Sequence, residues 1–140
     1  MPFEGSLSDL MAEAIWIRTD MVLAVHQRQV AEHGGETGVR DANLLQSALA
    51  RPLNLWAYSE PKPDMAALAA SYAFGIAKNH AFVDGNKRTA LVTCRMFLVL
   101  NGFDLCASQE EKYLTFRNLA AGEIDEASLT EWLRKHRAQA

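Results

Sequence analysis

Apolar residues recur along most of this chain at three- and four-residue intervals, and short clusters of glycine, proline and acidic or hydroxyl residues separate the runs. From Thr19, an N-cap followed by Asp20, the residues Met21, Val22, Val25 and Val30 fall near one face until Gly34-Gly35 stops the pattern, which predicts a first helix. Asp41 caps a short second helix carrying Leu44, Leu45, Ala48 and Leu49. Pro52 is its expected end, because the residue before a proline is pushed out of the α region. The stretch Pro52 to Pro63 holds three prolines and reads as an exposed loop that takes in Trp56 and Tyr58. Asp64 begins a third helix, whose Leu68, Ala69, Tyr72, Ala73, Phe74, Ile76 and Ala77 cover most of its circumference, so it is expected to be buried on most sides and to end near Asn79. Lys87 to Leu100 is a strongly apolar fourth helix, stopped by Asn101-Gly102 and expected at the centre of the core. Ser108 with Glu111 and Ser128 with Glu131 are capping-box pairs, each opening a peripheral helix, toward Gly122 and the C-terminus respectively. Strand-like alternation is limited to Ala14–Ile17 and Phe103–Cys106, and no repeat recurs. The fold class is therefore all-α, in one compact domain.

Composition narrows the function classes. With 140 residues, 49% hydrophobic and 22% charged, the chain has the balance of a globular domain rather than a disordered segment. Fourteen basic against seventeen acidic residues leave a net charge of −3, which gives no global field toward nucleic acid or anionic lipid. Cys94 and Cys106 show no C-x-x-C spacing and point to free thiols in a reducing compartment, with no cysteine-based zinc site. The start, MPFEGSLSDL, lacks the basic then apolar pattern of a signal peptide, and Ala90–Leu100 is too short for a bilayer span and carries Arg95. A cytoplasmic location is expected, with no membrane partner.

Chemistry concentrates in His80-Ala-Phe-Val-Asp-Gly-Asn-Lys-Arg-Thr89, between the two most apolar helices. The last residues of that run lie where a helix begins. There the first N–H groups have no internal acceptor and the macrodipole is positive, so Gly85-Asn86-Lys87 can cradle a phosphate oxygen. Lys87 or Arg88 adds charge-assisted bonds, and the guanidinium of Arg88 suits bidentate contact with a polyphosphate. Asp84 supplies the single carboxylate with which proteins commonly hold Mg²⁺ beside phosphates. His80 is the ring in this segment that exchanges a proton near neutral pH, which makes it the general base of a phosphoryl or nucleotidyl transfer. Each residue also has a plainer reading. His80 could merely end the preceding helix, Asp84 could cap the next, Gly85-Asn86 could be a tight turn, and Lys87 and Arg88 could be solvated. Cations at a helix N-terminus are disfavoured by about a few tenths of a kcal/mol, which weighs for an anionic ligand.

The run meets every fixed position of H-x-F-x-[D/E]-G-N-x-R, at His80, Phe82, Asp84, Gly85, Asn86 and Arg88. It resembles the signature of the Fic/Doc family. The stretches His33-Gly-Gly-Glu-Thr-Gly-Val-Arg-Asp-Ala-Asn-Leu-Leu-Gln-Ser-Ala-Leu-Ala-Arg-Pro52 and Phe97-Leu-Val-Leu-Asn-Gly-Phe103 extend the likeness to the death-on-curing (Doc) branch, over roughly residues 17–136. The domain is expected over 16–138, with 1–15 an extension of unassigned role.

The resemblance implies an all-helical Fic core. His80 would activate a target hydroxyl as a catalytic residue with Asn86 and Arg88. Asp84 would carry Mg²⁺, Gly85 and Asn86 would line the anion hole with Lys87 beside them, Arg88 would bind a nucleotide phosphate, and Phe82 would anchor the loop. Adenylylating relatives usually carry glycine where this chain has Lys87, and the lysine is similar to the Doc branch. The implied activity is therefore transfer of the γ-phosphate of ATP to a threonine or serine of a target protein, elongation factor Tu, stopping translation as the toxin of a toxin and antitoxin pair. AMP transfer at the same motif and a non-catalytic nucleotide- or antitoxin-binding module are the alternatives. Self-restraining relatives carry [S/T]-x-x-x-E-[G/N], and no Ser or Thr here is followed by Glu four residues on. Inhibition is therefore expected in trans, from a small antitoxin whose disordered segment folds on binding. The loop Leu53–Glu60 is the expected flap that aligns the target. His26, His33 and His136 carry no expected function, and no His pair has metal-ligand spacing; Cys94 is expected to be a small core residue.

Overall fold

A computed structural model describes residues 14–139. Among them the chain forms six helices and a two-stranded ribbon in the order α1 (Thr19–His33), α2 (Ala42–Tyr58), α3 (Met65–Asn79), α4 (Asn86–Leu100), β1 (Phe103–Leu105), α5 (Gln109–Ala121), α6 (Glu126–His136) and β2 (Arg137–Gln139). The all-α expectation holds. Of the expected N-terminal extension, residues 1–13 lie outside the described residues.

α3 is the axis of the core. Ala66, Leu68, Ala69, Ala70, Tyr72, Ala73, Ile76 and Ala77 are all buried, and α2, α4 and α6 pack around it. The run of alanines lets neighbours approach closely. At Gly75 a β-carbon would lie 3.1 Å from the Ala48 backbone of α2 and 2.9 Å from Arg51 Cδ, so this crossing needs a residue without a side chain. α4 supplies Thr89, Ala90, Cys94, Phe97 and Leu98 to the same core, while α5 and α6 close it with Phe116, Leu119, Leu129 and Leu133. Burial pushes the Cys94 thiol well above its ordinary range, in line with a core residue.

Four local expectations are corrected. Thr19 lies inside α1 and Arg18 takes the N-cap position, because the Thr19 hydroxyl accepts from Gln46 Nε2 at 3.3 Å instead of capping. α2 runs through Pro52 to Tyr58, so the expected loop is helix for most of its length. A proline inside a helix costs about 3 kcal/mol, and burial of Pro52 together with packing of Leu55 and Trp56 on the core offsets it. Trp56 meets Trp16 edge-on at 6.3 Å, while Tyr58 stays exposed. α6 starts one turn early because Asp125 caps it, accepting from Ser128 N–H at 2.7 Å. Finally, residues 14–17 form no strand. Their extended backbone bonds to side chains: Ile15 N–H donates to Asn101 Oδ1 at 2.7 Å, and Ile17 N–H to the Tyr72 hydroxyl at 3.0 Å. Phe103–Leu105 is a strand, and its antiparallel partner is β2, which helical periodicity near the C-terminus masked.

Candidate active site

His80 ends α3 in the left-handed conformation, φ 51° and ψ 48°, the one non-glycine residue with positive φ among the described residues. Such a conformation is strained for a side-chain-bearing residue and persists where its surroundings impose it. Here Arg40 imposes it. Its guanidinium donates to His80 O at 2.8 Å and to Asn79 O at 3.3 Å, covering the orphan carbonyls at the end of α3. The backbone around Arg40 runs antiparallel to the loop after His80: Arg40 N–H donates to Ala81 O at 2.7 Å, Val83 N–H donates to Gly38 O at 3.1 Å, and Val39 is bridged to Phe82. His80 thus both ends a helix and faces a cavity.

The rest of the loop is held from inside. The Asn86 side chain accepts from Phe82 N–H at 3.1 Å and donates to Phe82 O at 3.0 Å, satisfying both backbone groups of a buried residue. Phe82 stacks on His26 with ring centroids 3.9 Å apart, and His26 Nε2 donates to Asp84 O at 2.7 Å. This bond sets the tautomer of a ring that is 2% exposed. Asp84 stays exposed. Its Oδ1 accepts from Gly85 N–H at 3.0 Å and its Oδ2 lies 3.4 Å from Glu36 N, so it turns back onto the loop and does not cap α4. Gly35 makes that approach possible, since a β-carbon there would sit 2.9 Å from Asp84 Oδ2.

Gly85 is the N-cap of α4, with φ 77° and no side chain to cap the helix. The N–H groups of the first turn, Asn86 to Arg88, lack helical acceptors. The same residues border a cavity of about 580 Å³ lined by His80, Val83, Asp84, Gly85, Asn86, Lys87 and Arg88, together with Gln29 and Gly34 of the α1 end and Arg117, Ala120 and Ala121 of α5. Every site residue picked out in the sequence therefore meets in one place. What Asn86 offers a ligand is its backbone N–H, because its amide is engaged with Phe82. Lys87, Arg88 and Arg117 have no carboxylate within ion-pair distance among the described residues, and Asp84 lines the same cavity without pairing any of them.

The residues 16–98 match the family model described as "Fic/DOC family". The chain belongs to the Fic/DOC family. It is 33% identical over 119 residues, 85% of this chain and 93% of the other, to the protein named "Protein kinase doc" of Escherichia phage P1. It is also 45% identical over 74 residues, 53% of this chain and 57% of the other, to "Toxin Doc" of Mycolicibacterium smegmatis. The Doc branch is thereby supported, and with it a Doc-type toxin with kinase-type activity at the level of the family. In this Fic/DOC chain the residues that sequence reading missed are His26, Arg40, Gln29 and Arg117. Arg40 lies inside a stretch that carried the resemblance, yet its role needed the fold. His26 gives no local signal, since Asp84, to which it donates, lies 58 residues away.

Among the described residues no group of three His, Cys, Asp or Glu is disposed to hold a metal ion. One exposed carboxylate at the cavity still fits Mg²⁺, which takes its remaining ligands from phosphate oxygens and water. Among the described helices none is long and apolar enough to cross a membrane.

Proposed function

We propose that this chain is a Doc-type protein kinase and toxin, which transfers the γ-phosphate of ATP to a threonine or serine hydroxyl of a target protein. The observation that carries the reading is the meeting of His80, the uncapped start of α4 and the cations Lys87 and Arg88 in one cavity. His80 takes the proton from the hydroxyl as its oxygen bonds to the γ-phosphorus. The bond to the β,γ-bridging oxygen breaks, and ADP leaves with the electron pair. Backbone N–H groups of Asn86 to Arg88 and the Arg88 guanidinium receive the charge on the phosphate. Asp84 would hold Mg²⁺, which when bound neutralises charge between adjacent phosphates. Lys87 occupies space beside those N–H groups and favours the pose that presents the terminal phosphate; the name "Protein kinase doc" of a relative favours the same outcome over AMP transfer.

The target lies along the 38–40 segment. In the Val39–Phe82 bridge the hydrogen bonds run from the flanking residues, so the N–H and C=O of Val39 point away from the loop. An extended target segment pairs there and presents its hydroxyl to His80. This edge takes the place of Leu53–Glu60, which is helical through Tyr58. The target implied by the resemblance is elongation factor Tu. The protein acts in the cytoplasm as one catalytic domain, 16–138, restrained in trans by an antitoxin segment that folds on it.

The test is incubation with Mg²⁺, elongation factor Tu and ATP labelled on the α- or the γ-phosphate, with His80→Ala as control. Transfer of γ-label alone, lost in His80→Ala, is the expected result. Lys87→Gly is expected to move transfer toward α-label. Transfer of α-label by the unaltered protein would replace this reading with adenylylation, and transfer of neither label would overturn it.

A further inference from the structure

The cavity has a second wall that the motif does not supply. α5 contributes Arg117, Ala120 and Ala121, so Arg117 is the charged group of that wall and the two alanines leave it room. Phe116 and Leu119, beside it in sequence, are buried in the core, which fixes the rotation of α5 and carries the exposed Arg117 along the flank toward the site. Arg117 also lines an adjoining cavity of about 200 Å³ together with Lys87, Arg88, Leu91, Gln109, Tyr113 and Phe116. His80 and Asp84 line the first cavity and not the second. Three cations therefore stand at the junction of the two spaces, with the proton acceptor on one side of them. Like charges held together without a counter-ion repel, and a polyanion that lies across all three removes the penalty more fully than a single phosphate does.

We infer that Arg117 binds the leaving side of the donor: the α- and β-phosphates of ATP, which depart as ADP. The inference rests on the phosphate-donor reading above. As the bond from the target oxygen to the γ-phosphorus forms and the bond to the β,γ-bridging oxygen breaks, the electron pair stays with that oxygen. The added negative charge falls on ADP, and the guanidinium donates charge-assisted hydrogen bonds to it. His80 keeps the proton at the opposite end. Arg117 thus serves departure while the α4 N-terminus serves the transferred group.

Arg117→Gln and Arg117→Lys test this, with the binding of Mg²⁺-ADP and of inorganic tripolyphosphate followed by calorimetry and turnover of ATP followed by kinetics. Arg117→Gln is expected to weaken both ligands by about 10- to 100-fold, the range for losing a hydrogen bond to a charged group, and Arg117→Lys to recover part of it. kcat is expected to fall with the rise in KM, since the charge on ADP grows in the transition state. Unaltered ligand affinity in a folded Arg117→Gln protein, or a KM effect with kcat unchanged, would overturn the leaving-group role. Weakened tripolyphosphate binding without labelled phosphate ever reaching the target would keep Arg117 as a polyphosphate ligand and sink both its leaving-group role and the kinase reading. Failure of the unaltered protein to bind either ligand would sink both.

Discussion

The two walls of the cavity are built on different principles. The motif wall, from Asn79 to Arg88, is bonded nearly atom by atom: Arg40 holds the end of α3, Asn86 holds Phe82, and His26 holds Asp84. The α5 wall is held by packing, through Phe116 and Leu119, and presents Arg117 from an exposed position. A wall that positions a proton acceptor needs placement to fractions of an ångström, because transfer falls steeply with misalignment. One that receives diffuse negative charge tolerates looser placement, since a flexible guanidinium finds its phosphates.

The contrast can be broken most sharply at His80. His80→Ala is expected to lower transfer by about 10²- to 10⁴-fold while ADP binding persists, since it removes the proposed base and leaves the α4 N-terminus in place. Loss of ligand binding in the same variant would show that the left-handed turn, and not the ring, is what the site needs. Asn86→Ala comes next. It strips Phe82 of both partners in a buried setting, and each abandoned group costs about 1–3 kcal/mol, so thermal unfolding should move down and ligand binding and transfer should fall together. A variant that melts like the parent would mean that the loop does not depend on this bond pair.

Two smaller effects serve as controls away from the motif wall. Gly75→Ala forces a contact under 3.2 Å between α2 and α3, and overpacking of this kind costs about 1–3 kcal/mol of stability, read by denaturant titration, with kcat expected to hold in the folded fraction. The smallest effect concerns pH. The Arg95 guanidinium beside Asp104 holds that carboxyl down at about 2, below its ordinary value. Its contribution is complete above the unfolded value near pH 4 and is lost as pH falls through the folded value. The pair is exposed, so it is worth at most about 1 kcal/mol, and Asp104→Asn should remove that acid sensitivity in melts between about pH 4 and 2.

The two walls also differ in how far the sequence reveals them. The motif residues were legible because they stand at the fixed spacing of the family signature, and α3 and α4 were legible because their apolar faces are wide. Pro52 misled, since a local rule for helix ends loses to the burial of Pro52, Leu55 and Trp56. Asp125 outcompeted Ser128 as a cap, which the capping-box pattern alone does not decide. β2 was hidden because a three-residue strand needs a partner, and its partner lies more than thirty residues back. Arg117 and His26 were hidden for a related reason: neither has a neighbour in sequence that shares its task.

The clamp of Arg40 on His80 joins residues 40 apart, with α2 and α3 lying between them. A growing chain emerging from the ribosome has the 38–40 segment long before it has the loop, and the loop long before it has α5. The clamp must wait for that span to close, which costs chain entropy that only the packed α2–α3 pair returns. Arg117 follows later still. The cavity is therefore complete only after α5 has packed against the core, well after the motif itself has been made.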